Sequence, residues 1–169
     1  MSIRFATPDD IPVFVEMCRI FHAMTRFSAY DYNPERVAQN LKAVVDIGQN
    51  DQGTHCFLVA EDSQGKPIGG LIGCIERHFF SDQPVASIIH YDVLPEKRMG
   101  GAGLRLLTAF RKWAENRGAF EISAGVNSGV ELQKMDRFLR KLGFRQTGGN
   151  YSLMLGTTAA QTSENQLQP

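Results

Sequence analysis

The stretch VLPEKRMGGAGLRLL, residues 93–107, carries the strongest structural signal in the chain. An apolar segment ends at Pro95, and Gly100, Gly101 and Gly103 then lead into apolar residues at helical spacing. The first turn of a helix has backbone N–H groups without partners and carries about half a positive charge. A strand, a glycine turn and a helix in this order therefore predict a site for an anion such as phosphate.

The segments on either side of this stretch predict an α/β domain. Upstream, residues 56–60, 67–75 and 85–94 are rich in branched and apolar side chains and are separated by the turn sequences DSQG and SDQP. They predict three consecutive antiparallel strands. The other predicted elements are a strand at 2–6, a helix that starts at Asp9 or Asp10 and ends near His22, helices at 34–47, 104–117 and 130–142, a strand at 120–126, and a hairpin at 144–155.

Length and charge exclude several classes of protein. A chain of 169 residues is expected to form one domain. Lys+Arg and Asp+Glu both number 18, which argues against nucleic acid as the main partner. No apolar run approaches the roughly 20 residues of a membrane span, and Asp9 and Asp10 interrupt any signal peptide, so we expect a cytoplasmic protein.

The cysteines and the glycine turn can both be explained without a binding site. Cys18, Cys56 and Cys74 are far apart and lack the spacing of a metal site, so we expect reduced thiols and no metal. The glycine turn fits neither the P-loop nor the dinucleotide pattern. Taken alone, its glycines are as well explained by a sharp connection between strand and helix.

The wider sequence favours a functional interpretation of the turn. Arg98 to Gly103, RMGGAG, matches Arg/Gln-x-x-Gly-x-Gly/Ala, the acetyl-CoA signature of the GNAT superfamily of N-acetyltransferases. IRFATPDD, FLVAED, IGGLIGCIE and FLRKLGFRQTGG resemble other segments of that family, so that residues 3–155 are similar to a GNAT domain. The resemblance implies a GNAT fold of class α/β (α+β), with a mixed, mostly antiparallel sheet that separates between its fourth and fifth strands, flanked by helices. We expect this domain over residues 1–156 and a disordered tail over 157–169.

The resemblance also implies a function and a set of cofactor contacts. The expected activity is transfer of an acetyl group from acetyl-CoA to a primary amine of a small molecule or protein, by direct attack in a ternary complex. The alternative is a module that binds acetyl-CoA without catalysis. The backbone of Tyr91, Asp92 and Val93 would pair with the pantetheine arm. Arg98 would stand at the entrance of the turn, and the pyrophosphate would be bound by the backbone N–H groups of Met99, Gly100, Gly101, Ala102, Gly103 and Leu104.

Acetyl transfer to an amine requires a proton acceptor, and the fourth predicted strand offers two candidates. Strict alternation in ASIIHYDV places Ile88, His90 and Asp92 on one face. A histidine that titrates near neutrality suits a base, and Asp92 is suited to orient it or to hold a cationic amine. A position at the wet end of the strand explains both residues equally well.

The acid and the oxyanion donor are assigned by resemblance. The backbone N–H of Val93 matches the group that stabilises the tetrahedral oxyanion. Leu139 stands where many family members have a tyrosine that protonates the leaving thiolate. Tyr151 is a replacement candidate, and unassisted departure is the alternative because a thiol pKa near 8.5 makes thiolate a tolerable leaving group.

Further candidates lie outside these segments. Asn127 resembles a cofactor-contacting asparagine, or caps the following helix. Phe27, Tyr30 and Tyr32 line the acceptor pocket or close the core beneath a loop. A homodimer is compatible with the sequence, and no membrane partner is expected. A basic cluster is either a solvated helix face or a site for the adenosine phosphate or an acidic partner; its residues are Arg137, Arg140, Lys141 and Arg145.

Overall fold

The computed structural model of the chain describes residues 1–48 and 53–155. The predicted tail at 157–169 lies outside the described residues. The chain divides into two compact units. The first comprises Met1–Arg19 and Asn33–Gly125, and the second comprises Ile20–Tyr32 and the chain from Val126 onward. The single domain over residues 1–156 stays a prediction.

A five-stranded sheet forms the centre of the first unit. Its strands follow one another in space as they do in the chain: β1 (Ser2–Phe5), β2 (His55–Glu61), β3 (Pro67–Arg77), β4 (Pro84–Val93) and β5 (Glu121–Ala124). The first four strands pair antiparallel, and β5 pairs parallel to β4. The predicted mixed, mostly antiparallel sheet is confirmed, including its three consecutive antiparallel strands.

The ladder between β4 and β5 covers only part of β4. It joins Val85–Ile88 to Glu121–Ala124, whereas β4 continues to Val93. The edge of β4 beyond Ile88 therefore has no strand beside it among the described residues. Parting of the fourth and fifth strands was expected, and here it leaves main-chain groups open to a ligand.

The helices of the described residues are α1 (Ile11–Met24), α2 (Pro34–Gly48), α3 (Ala102–Asn116) and α4 (Leu132–Lys141). The first three cover the two faces of this sheet, and α4 belongs to the second unit. Phe14 of α1 and Leu41 of α2 pack with Phe57 and Ile72 in a buried cluster on one face. On the other face, a Cβ at Gly73 of β3 would lie 2.2 Å from the Phe110 ring of α3. In residues 1–48 and 53–155, no helix combines the length and the apolar character of a membrane span.

The entry to α1 differs from the prediction. Thr7 caps a short 3-10 turn, Pro8–Asp10, that runs into the helix. Asp10 is buried, accepts from the Thr7 N–H at 2.8 Å, and binds both terminal nitrogens of Arg4 at 2.7 and 2.8 Å. The Arg4 guanidinium lowers the pKa of Asp10. Asp10 therefore joins the turn to β1, and the cap is Thr7 rather than an aspartate.

The predicted hairpin at 144–155 is absent from the structure. Residues 144–155 contain no strand, and all except the half-buried Phe144 are exposed. The apolar residues of this segment have no buried face to occupy, and RQTGGN offers no alternating pattern. The Phe144 N–H donates to the Leu139 carbonyl of α4 at 3.1 Å, and Asn150 Nδ2 donates to the Val126 carbonyl at 3.2 Å, so these bonds form no ladder.

Candidate active site

A β-bulge in β4 sets the direction of the candidate catalytic side chains. Gly73 pairs with Ile88 and Ile72 pairs with His90, so Ile89 is an extra residue. Ile88 thus shares the α3 face with Gly73, whereas His90 shares the α1 and α2 face with Ile72. The predicted grouping of Ile88 with His90 was wrong, because alternation does not continue through a bulge.

Asp92 lies on the same face as His90, as predicted. It pairs with Gly70, where a Cβ would meet the rings of Phe14 and Phe57. Burial and, to a smaller extent, the Asp92 carboxylate raise the pKa of the Cys18 thiol on α1 to about 11. Sequence reasoning missed the proximity of Cys18 to Asp92. Cys18 belongs to the apolar stripe of its helix, and that pattern does not identify the strand residue it faces.

The backbone of β4 points alternately toward β3 and toward the free edge. The Leu94 N–H donates to the Ile68 carbonyl at 2.9 Å, so Asp92 and His90, two and four residues earlier, also direct their backbone groups to β3. The N–H and C=O groups of Tyr91 and Val93 therefore point to the opposite edge. An extended polar ligand can pair with that edge as an additional strand would.

At Val93 these groups are already engaged by side chains. The Val93 N–H donates to Asp92 Oδ1 at 2.8 Å, and its carbonyl accepts from Arg98 Nε at 3.1 Å. Arg98 Nη2 lies 3.4 Å from the same Asp92 oxygen. An acyl oxygen would have to displace the Asp92 carboxylate to reach the Val93 N–H, and the oxyanion role of Val93 stays a prediction.

The glycine turn ends in an uncapped helix. A 3-10 turn, Pro95–Gly100, leads to Gly101, which has φ 80° and ψ 2° and receives no side-chain cap. The first intrahelical bond runs from the Arg105 N–H to the Gly101 carbonyl at 3.1 Å. The N–H groups of Ala102, Gly103 and Leu104 precede that bond, so they are available to an anion at the positive end of the helix.

The three glycines of the turn have different structural roles. Gly101 requires its residue type because of its left-handed backbone. A Cβ at Gly103 would lie 2.1 Å from the Tyr91 hydroxyl oxygen, so Gly103 allows α3 to pack on β4. A Cβ at Gly100 would meet only the Met1 methyl group, at 3.7 Å. Met99 is almost fully exposed, and Leu104 is exposed.

Burial changes the titration of the two candidate catalytic residues in opposite directions. Desolvation lowers the pKa of His90 to about 4, so the expectation that it titrates near neutrality was wrong. Desolvation raises the pKa of Asp92 to about 6, although Arg98 and the Val93 N–H oppose the shift. The group that titrates near neutrality is therefore Asp92. Burial also raises the pKa of the Tyr91 phenol to about 12.

The predicted acceptor-pocket aromatics lie in the second unit. Phe27 is half-buried with its ring 6.3 Å from that of Phe21, and Tyr32 is half-buried at 5.2 Å from the His22 ring. Tyr30 is exposed, and its carbonyl oxygen lies 2.9 Å from His22 Nε2. These contacts fit local packing, and a role in acceptor binding stays a prediction.

Asn127 and Tyr151 also belong to the second unit. The Asn127 carbonyl accepts from Arg26 Nε at 2.5 Å. The N-cap of α4 is Glu131, so the alternative interpretation of Asn127 as a helix cap was wrong. Tyr151 is 98% exposed and lies on an open surface near Arg140 and Arg145. The structure thus brings Tyr91, Asp92, Val93 and the residues from Arg98 to Leu104 together in the first unit. No group of three or more potential metal ligands occurs in the described parts of the chain.

Known proteins show the same fold. The chain resembles a Trypanosoma brucei acetyltransferase at 19% identity, with 91% of this chain and 99% of that one covered and a TM-score of 0.67. The aminoglycoside 6'-N-acetyltransferase of Acinetobacter baumannii is 17% identical over 92% and 98% of the two chains, with a TM-score of 0.67. Glucosamine-6-phosphate N-acetyltransferase from Arabidopsis thaliana is 16% identical over 92% and 98%, with a TM-score of 0.69.

Sequence comparison gives the family. None of the curated proteins compared matches the chain. The sequence pattern of the Acetyltransferase (GNAT) family matches residues 15–144, which include all of β4, the glycine turn and α3. This match covers well over half of the chain. The protein therefore belongs to the Acetyltransferase (GNAT) family.

Proposed function

We propose that the protein transfers the acetyl group of acetyl-CoA to a primary amine of a small molecule or protein, by direct attack in a ternary complex. The observation that supports this most is the free edge of β4 in the same unit as the uncapped start of α3. Two fold relatives are named N-acetyltransferases, which supports nitrogen as the acceptor atom.

The residues of the first unit fit acetyl-CoA. The N–H groups of Ala102, Gly103 and Leu104 would hold the pyrophosphate, and the left-handed Gly101 leaves space above them, since a Cβ there would meet nothing within 4 Å. The N–H and C=O of Tyr91 would pair with the amides of the pantetheine arm. Bound acetyl-CoA would supply an activated thioester.

Asp92 is the residue best placed to handle the amine proton. With a pKa of about 6 it is ionised at neutral pH, so it can attract an ammonium group and accept a proton as the nitrogen attacks. His90, with a pKa of about 4, is neutral there and is the weaker base. We assign His90 the role of shaping the polar end of this face beside Asp92.

The leaving thiolate has no obvious acid. The amine nitrogen forms a bond to the acetyl carbon, the carbon–sulfur bond breaks, and the sulfur takes a proton from solvent or leaves as thiolate. Leu139 cannot donate that proton, and Tyr151 is 98% exposed in the second unit. A thiol pKa of about 8.5 lets the thiolate leave without an acid at neutral pH.

One observation favours the alternative, a module that binds acetyl-CoA without catalysis. The Val93 N–H is already bonded to Asp92, so the oxyanion donor is engaged before any ligand arrives. If acetyl-CoA does not displace this bond, the site has no preorganised donor for the transition state.

Turnover of acetyl-CoA with a panel of amines tests the proposal. The panel contains amino sugars, polyamines and lysine peptides, and release of the free thiol is measured. We expect turnover with at least one amine, and a loss of about a hundredfold in Asp92→Asn, because a general base contributes that much or more. His90→Gln is the matched variant on the same face and should lose less. Tight binding of acetyl-CoA without turnover on any amine would support the non-catalytic module instead.

A further inference from the structure

The side chain of Arg98 turns back from the glycine turn onto the end of β4. Its Nε donates to the Val93 carbonyl at 3.1 Å, and its Nη2 donates to Asp92 Oδ1 at 3.4 Å. These contacts use two nitrogens of one planar guanidinium, so together they fix its position and its plane. Arg98 is therefore attached to β4 at two points, and one of them is the candidate base.

Both hydrogen bonds that the Asp92 carboxylate accepts from the described parts of the chain end on the same oxygen. Oδ1 accepts from the Val93 N–H at 2.8 Å and from Arg98 Nη2 at 3.4 Å. The Asp92 side chain is only 10% exposed, so the surrounding protein restricts its other orientations. Oδ2 is consequently the oxygen that remains for a proton donor.

Arg98 is also the charged side chain that acts on Asp92. From α1, Asp92 faces the Cys18 thiol, whose pKa burial raises to about 11, and β3 places a glycine opposite it. Its neighbours on β4 are Tyr91, with a pKa of about 12, and His90, with a pKa of about 4. These three groups are uncharged near neutral pH. The guanidinium and the Val93 N–H therefore oppose the burial that disfavours the ionised carboxylate.

We propose that Arg98 is a positioning residue for acetyl transfer: it holds Asp92 Oδ1 against the Val93 N–H, so that Oδ2 accepts the proton of the amine. This inference rests on the proposed function, in which Asp92 receives that proton. As the nitrogen bonds to the acetyl carbon, its proton passes to Oδ2, and the carboxyl group then releases it to solvent. A carboxylate without this anchor would rotate, which slows a proton transfer that depends on geometry.

Titration of the Asp92 carboxyl carbon by NMR tests the contact without any substrate. An opposite charge this close lowers the pKa of a carboxyl group, so we expect the pKa of Asp92 to rise from about 6 to about 7 or above in Arg98→Gln. Arg98→Lys keeps the charge and should raise it less. Lys97 is exposed in the same 3-10 turn and is not among the groups that shift the pKa of Asp92. Lys97→Gln, the matched control, should leave that pKa unchanged.

The pH dependence of kcat/KM separates the charge of Arg98 from its orienting role. In Arg98→Gln the acid limb should move to higher pH with the pKa of Asp92, and the rate at high pH should stay about tenfold or more below that of the parent. In Arg98→Lys the acid limb should return toward that of the parent. Its rate at high pH should remain reduced, because one ammonium group does not reproduce the planar fork. Lys97→Gln should match the parent in both respects.

Two results would overturn the proposal. An unchanged pKa of Asp92 in folded Arg98→Gln would show that the arginine does not act on this carboxylate. Equal rates at high pH for the parent and both Arg98 variants would show that it does not orient the carboxylate. If Arg98→Gln did not fold, the rate of Arg98→Lys at high pH would decide. Either negative result leaves amine acetylation intact, whereas a parent without turnover contradicts the proposed function and leaves the carboxyl titration to decide whether Arg98 holds Asp92.

Discussion

At the scale of single residues, the close approach of Gly103 to Tyr91 predicts how Gly103→Ala changes the free energy of unfolding. A second substitution at Tyr91 should remove or reverse that change. A Cβ at Gly103 would lie 2.1 Å from the Tyr91 hydroxyl oxygen but 3.3 Å from the ring carbon that carries it. Overpacking of this kind costs about 1 to 3 kcal/mol, more than the roughly 0.5 to 1 kcal/mol that alanine gains over glycine in a helix. Gly103→Ala should therefore destabilise the protein.

The same substitution should be neutral or stabilising once the hydroxyl is removed. In a Tyr91→Phe background the nearest atom is the ring carbon, so the helix propensity of alanine is expected to outweigh the remaining contact. Chemical unfolding of the two single variants and the double variant measures this coupling. Equal effects of Gly103→Ala in both backgrounds would show that α3 and β4 do not pack through this hydroxyl.

His90 and Asp92 predict opposite dependences of stability on pH. Asp92 has a folded pKa raised from 3.8 to about 6, so the stability it contributes is present below pH 3.8 and is lost as pH rises to about 6. His90 has a folded pKa lowered from 6.5 to about 4, so its contribution is present above pH 6.5 and is lost as pH falls to about 4. The two effects oppose each other over nearly the same interval.

Removing either residue should expose the effect of the other. Relative to the parent, the free energy of unfolding of His90→Gln should fall as pH rises through this interval, and that of Asp92→Asn should rise. Each slope is at most about 1.4 kcal/mol per pH unit. Urea unfolding at half-unit steps of pH provides the measurement. Curves that stay parallel to that of the parent would mean that neither group is desolvated as described.

At the scale of elements, the free edge of β4 predicts which amide will respond to acetyl-CoA. The Tyr91 N–H points away from β3 and has no partner among the described residues, whereas the Asp92 N–H lies in the β3 ladder. Hydrogen exchange at Tyr91 should therefore be fast in the free protein and slow when acetyl-CoA is present. Asp92, the neighbouring control, should be protected in both states. Unchanged exchange at Tyr91 with saturating cofactor would show that the arm does not pair with this edge.

The elements themselves were predictable where their signals are local. Branched and alternating residues gave β2, β3 and β4, and helical spacing gave α2 and α3, because both periods come from the backbone of the segment concerned. The bulge at Ile89 was not predictable, since it exists only in the pairing of β4 with β3. The failed hairpin at 144–155 has the same cause, because a strand needs a partner that its own sequence does not specify.

In the candidate site too, features set by the local sequence were predictable, and features set by contacts with distant segments were not. The glycine turn and its position before α3 could be identified from Gly100, Gly101 and Gly103 alone. The low pKa of His90 and the raised pKa of Asp92 could not, because they depend on burial by helices distant in sequence. Arg98 was expected at the entrance of the turn, and its bond to the Val93 carbonyl depends on how the turn folds back on β4.

At the scale of the whole molecule, ligand binding adds to the stability of the folded state. Valine substitutions at two glycines distinguish a loss of stability from a loss of acetyl-CoA binding. Gly101 and Gly118 lie beyond opposite ends of α3, have φ 80° and 67°, and would both place a Cβ in open space. A valine at either position should therefore lose a similar amount of stability, about 1 to 2 kcal/mol for a left-handed residue with a Cβ. In the free protein the two variants should have similar melting temperatures.

Acetyl-CoA should distinguish these two variants. A ligand at a hundred times its Kd stabilises the folded state by about 2.7 kcal/mol, so the parent and Gly118→Val should melt at higher temperature when acetyl-CoA is added. Gly101→Val should gain little, because its side chain occupies the approach to the N–H groups of Ala102 and Gly103. Thermal unfolding with and without acetyl-CoA measures the difference. If both variants gained as much as the parent, the anion would not bind at the start of α3, and the free edge of β4 would have to account for cofactor binding alone.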